Sequence, residues 1–90
     1  MPYISKELRL VVDKKIKDLA ESVKECGKEN RAGVLNYSIS TLIHALYDLR
    51  YSEVNEAVGM LECTKQEYYR RIAAPYEDKK IKENGDVYLR

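Results

Sequence analysis

The stretch that most constrains the fold is Tyr51 to Tyr76, YSEVNEAVGMLECTKQEYYRRIAAPY, the longest run in the chain with one clear helical period. At 3.6 residues per turn, Val54, Ala57, Val58, Leu61, Thr64, Tyr68 and Ile72 share one side, which predicts a central amphipathic helix with that side buried. Ser52 is placed to cap the first free N–H groups. Glu53 and Glu56 lie where the helix dipole favours anions, Arg70 and Arg71 where it favours cations. Pro75 lacks a backbone donor and is predicted to end the ladder or force a fresh start.

Two further helices are predicted to pack on this one. Leu8, Val12, Ile16, Leu19, Ala20 and Val23 form an apolar stripe at three- and four-residue spacing. Because Asp13 is a good N-cap, a short turn followed by a helix from Asp13 is preferred over one rod from Ser5 to Cys26. Gly27 closes that helix, and GKENRAG, Gly27 to Gly33, reads as a loop. A second helix begins near Val34 to Asn36 and runs to about Arg50, with Leu35, Ile39, Leu42, Ile43, Leu46 and Leu49 on the most apolar face of the chain. Its opposite face carries Tyr37, Ser40, Thr41, His44 and Asp48. Tyr51 and Ser52 are then the short joint to the central helix. Beyond Pro75, YEDKKIKEN reads as a short charged helix stopped by Asn84-Gly85, and the tail after it has Ile81, Val87, Tyr88 and Leu89 as its apolar handles. The expected fold is all-α: a small bundle of three main helices with a charged C-terminal short helix or tail. Residues 1–75 form the helical domain and 76–90 its charged extension.

Composition narrows the class of function. Ninety residues make one domain with a small core, to which a partner subunit would add stability. Sixteen basic against fifteen acidic side chains leave a net charge of +1, so no global field steers the chain onto nucleic acid or an anionic membrane. No apolar run approaches the roughly 18 residues of a membrane span, and Met1-Pro2 leads into charged residues rather than a secretion signal. A cytoplasmic location is expected. Cys26 and Cys63 lack Cys-x-x-Cys spacing and read as free thiols, and neither a metal nor a cofactor is expected.

LNYSISTLIHAL, VNEAVGMLECTKQEYYRRIAAPY and the closing EDKKIKENGDVY, together with the opening MPYI more weakly, resemble a small uncharacterised family of helical proteins met in prokaryotic and viral genomes. The resemblance runs from Val34 to the end. It implies a single-domain architecture and carries no catalytic role to transfer.

Four constellations bear on function. Glu53-Val54-Asn55-Glu56 and Glu83-Asn84-Gly85-Asp86 formally reproduce the Glu-x-x-Glu and Glu-x-x-Asp pairs with which all-helical nucleoside triphosphate pyrophosphatases hold magnesium. The turn at Asn84-Gly85 separates the second pair, and acids at a helix start are expected for dipole reasons alone. Tyr37, His44 and Asp48, with Glu62 as a third ligand from another helix, form a candidate polar face that lacks a second histidine. Tyr69, Arg70, Arg71, Lys79, Lys80 and Lys82 interleave an aromatic ring with basic groups, the mixture that stacks bases and neutralises phosphates. Gly59, Met60, Cys63 and Glu67 lie opposite the predicted buried stripe. A helical glycine costs about 1 kcal/mol, which close approach of another backbone would offset. The reading with most support is a self-associating interaction or accessory module, a dimer being favoured. Nucleic-acid or nucleotide binding through the Tyr/Arg/Lys patch comes second, and a metal-dependent pyrophosphatase-like enzyme third.

Overall fold

A computed structural model describes residues 2–88. The described residues form helices and no strands: α1 Lys6–Glu25, a 3-10 turn Lys28–Asn30, α2 Arg31–Leu46, α3 Tyr51–Tyr68, a π turn Tyr69–Ala73 and α4 Ala74–Asn84. The all-α reading holds. Leu89, one of the tail's expected apolar handles, lies outside the described residues.

The chain divides into two units with the boundary inside α3, residues 2–57 and residues 58–88. In the first, α1 is one uninterrupted rod, and the preferred break at Asp13 does not occur. Ser5 takes the N-cap role, its Oγ accepting from the Leu8 N–H at 3.3 Å, so the orphan donors are met eight residues earlier and Asp13 is left as an exposed mid-helix residue. The turn after α1 is built on Gly27, at φ 93°, and on Asn30, whose Nδ2 donates to the Cys26 carbonyl at 2.8 Å. That turn is so economical that α2 starts at Arg31, taking Gly33 into the helix rather than the loop.

The joint between α2 and α3 also differs from its reading. It is Tyr47–Arg50; Tyr51 and Ser52 are already helical, so Ser52 is not the cap. Glu53, in the first turn of α3, reaches back to accept from the Asp48 N–H of the joint at 3.0 Å, which ties the joint to the helix.

In the second unit, Pro75 does not stop the ladder. A proline inside an α-helix removes one donor and presses its ring on the carbonyl four residues back. Here the π turn immediately before it opens the ladder, with the Ala74 N–H donating to the Tyr69 carbonyl five residues earlier, and the helix continues to Asn84. Gly85, at φ 90°, then closes α4 with its N–H on the Ile81 carbonyl at 2.8 Å, at the stop expected from Asn84-Gly85.

Among the described residues, Val23 and Ala57 are the buried apolar side chains. Both fall on their predicted stripes. The rest of the expected core is exposed: Val54, Val58, Leu61, Tyr68 and Ile72 on the long stripe, and Leu8, Val12, Ile16 and Leu19 on α1. The physical reason is that each unit brings too few helical surfaces together to enclose an apolar face. Within the first unit, Val23, next to the turn, is 7% exposed, while Leu8, Val12, Ile16 and Leu19 of α1 and Leu35, Ile39, Leu42 and Leu46 of α2 range from 38% at Ile39 to 74% at Leu46.

Candidate functional site

Three local arrangements bring side chains of different turns together. At the α2–α3 corner, Tyr47 is half-buried and its hydroxyl donates to the Glu56 carboxylate, which pushes the phenol above its usual value of 10.0, with lesser contributions from desolvation and from the charges of Glu56 and Glu53. Glu53 meanwhile holds the Asp48 N–H. The first acidic pair is thus occupied in setting the helix corner.

In the second unit, the Tyr69 hydroxyl donates to Glu77 Oε1 at 2.7 Å. Residues eight apart on a regular α-helix are offset by about 80°, since two turns take about 7.2 residues. The π turn adds roughly one residue, so two turns take about eight and Glu77 comes into line with Tyr69. The hydrogen bond to Glu77 and then its charge raise the Tyr69 phenol, with smaller effects from desolvation and from Tyr88. Tyr88 is near because Gly85 reverses the chain, and the Asp86 carboxylate fixes the reversal by accepting the Tyr88 N–H at 2.9 Å. Between the returning tail and α4 lies an open cleft of about 440 Å³, lined among others by Tyr69, Glu77, Lys80, Ile81, Val87 and Tyr88. A smaller depression of about 270 Å³ is lined by Cys63, Gln66, Glu67 and Arg70.

The residues singled out from the sequence are distributed as follows. Tyr37 and His44 are exposed on α2, while Asp48 lies in the corner beyond its end. Glu62 belongs to the second unit, where the Gln66 amide and then the Lys65 ammonium lower its carboxyl below the usual range. No three His, Cys, Asp or Glu among the described residues come together as a metal-binding group. Glu83 pairs with Lys80 at 3.1 Å, and the positive φ of Gly85 turns the backbone between Glu83 and Asp86. Of the basic patch, Arg70 is bound to Glu67 at 2.9 Å, and Lys80, besides Glu83, sits 5.5 Å from the centre of the Tyr76 ring. Arg71, Lys79 and Lys82 are exposed. Of the Gly59 group, Met60 and Cys63 are exposed and Glu67 is half-buried, and a Cβ added at Gly59 would meet nothing within 4 Å.

Sequence reasoning missed Tyr47 and Glu77. Tyr47 follows the last residue of α2, outside any stripe, and Glu77 comes into line with Tyr69 only through the π turn.

The architecture is that of a small all-α protein whose polar clusters are tied to its own helix joints. It belongs to the family described as Domain of unknown function (DUF6899), whose model matches residues 1–87. No curated protein and no solved structure matches the chain.

Proposed function

We propose that this chain is a self-associating interaction module, with a second copy covering apolar faces that neither unit covers by itself. The observation that carries the reading is the exposure of the apolar stripes, with Val23 and Ala57 the buried exceptions among the described residues. Leaving a Leu, Ile or Val exposed forgoes about 1.5–3 kcal/mol of burial each, and contiguous exposed patches of this kind mark interaction surfaces. Gly59, Met60, Cys63 and Glu67 remain a candidate contact, because among the described residues nothing lies within 4 Å of a Cβ added at Gly59. No helix among the described residues is long and apolar enough to cross a membrane, and we place the module in the cytoplasm.

The basic patch supports nucleic-acid binding less well. Arg70 and Lys80 are already paired with acids, and the whole chain carries only +1. Sedimentation equilibrium over the micromolar range tests the main reading, with dimer mass expected. A chain that stays monomeric throughout, and is instead retained on an oligonucleotide in a salt-dependent way, overturns it in favour of the second.

A further inference from the structure

The helix that departs furthest from a solvent-facing composition is α2. In a chain that is 34% charged, the run from Ala32 to Tyr47 contains no Lys, Arg, Asp or Glu, and no residue of α2 is buried. Its half-buried positions are Val34, Ser38 and Ile43. Leu35, Ile39, Leu42 and Leu46, at alternating spacings of four and three, form a seam exposed at 46, 38, 53 and 74%. That spacing is the coiled-coil repeat, and an exposed apolar seam of this kind is the face with which one helix packs on another.

We propose that α2 is the two-fold contact of the self-association just inferred, pairing antiparallel with α2 of a second copy. The inference rests on that reading and assigns its surface. Three observations favour a second copy as the occupant. In a two-fold contact each residue near the axis lies close to its own equivalent, so a charged seam would repel itself, and in α2 both the seam and the positions flanking it are free of Lys, Arg, Asp and Glu from Ala32 onward. The hydroxyls of its serines and threonine need no solvent: Ser38 and Thr41 donate to the Val34 and Tyr37 carbonyls, each at 2.8 Å, and Ser40 donates to Asn36 Oδ1 at 3.2 Å. Burying them therefore strands no donor. The four exposed seam residues, together with the exposed α1 stripe of the same unit, offer on the order of several hundred Å² per copy, the order of the about 800 Å² that each partner of a stable interface contributes. Antiparallel pairing also keeps the two Arg31 side chains and the like ends of the two helix dipoles apart. In that register Ile39 lies level with the partner's Leu42, and Leu35 with the partner's Leu46.

The test uses the full chain and two variants, Ile39→Glu and Leu42→Lys, followed by sedimentation equilibrium and circular dichroism. Each variant alone places two like charges at the seam and is expected to lose the dimer mass. Mixed in equal amounts, the two variants bring Glu and Lys opposite each other and are expected to recover it as a heterodimer, which also shows that both chains fold. Dimeric wild type with variants that remain dimeric, or whose mixture stays monomeric, overturns the α2 contact while leaving self-association standing. A monomeric wild type overturns both.

Discussion

The Tyr69 hydroxyl and the Glu77 carboxylate meet at 2.7 Å across a π turn, which brings residues eight apart into line. The bond thus reports the geometry of the backbone between them. Glu77→Gln is expected to bring the Tyr69 phenol down towards its usual value of 10.0, because the carboxylate is what holds it up. A raised phenol contributes stability that is whole below about pH 10 and is lost as pH rises from there through the raised value. Absorbance titration of the wild type and Glu77→Gln compares the two, and coincident curves would contradict the assignment.

Pro75→Ala restores a donor and removes the ring that the π turn accommodates. The expected outcome is a ladder that closes to regular α geometry with helicity unchanged, while the Tyr69 phenol falls as it does in Glu77→Gln. A variant whose Tyr69 still titrates late would show that the π turn is held by something other than the proline.

Glu53→Ala should free the Asp48 amide at the α2–α3 corner. Removing this exposed, charge-assisted bond is expected to cost about 0.5–1.5 kcal/mol locally. Amide hydrogen exchange reads it directly, through faster exchange at Asp48 and Val54, with α1 unaffected.

Two glycines of the first unit should respond with opposite signs. Gly27 sits at φ 93° with a would-be Cβ 2.6 Å from Glu29 Oε1; the carboxylate can swing away, but the backbone strain stays. Gly27→Ala is expected to destabilise by about 1–3 kcal/mol. Gly33 is helical with nothing within 4 Å of its added Cβ, so Gly33→Ala should gain up to about 1 kcal/mol. Thermal melts of the two variants should bracket the wild type.

The sequence made the helical stretches legible because they rest on local periodicity, and Asn84-Gly85 marked the end of α4 because only a residue tolerant of positive φ fits there. Its errors arose where two local signals competed. Ser5 and Asp13 are both good caps, and nothing in the sequence says which is used, whereas the contact from the Leu8 N–H decides it. Pro75 reads as a stop unless the turn before it widens, and that widening has no signature of its own. The long stripe did identify Ala57, but periodicity says which side of a helix is apolar and not whether a neighbour arrives to cover it. Leu61, taken as core, is 40% exposed for that reason. At the candidate sites the sequence marked Glu53 and Glu56 for their spacing, while their role depends on Tyr47 and Asp48, which reach them through the corner.

The extra residue in the π turn also resets the phase of everything that follows it. One residue corresponds to about 100° of rotation, so α4 does not extend the face that carries Leu61, Tyr68 and Ile72. Its Glu77, Lys80 and Ile81 are instead brought under the returning tail. A single long helix therefore presents two independently oriented faces, and deleting one residue between Tyr69 and Ala73 would merge them into one stripe with hardly any change in composition.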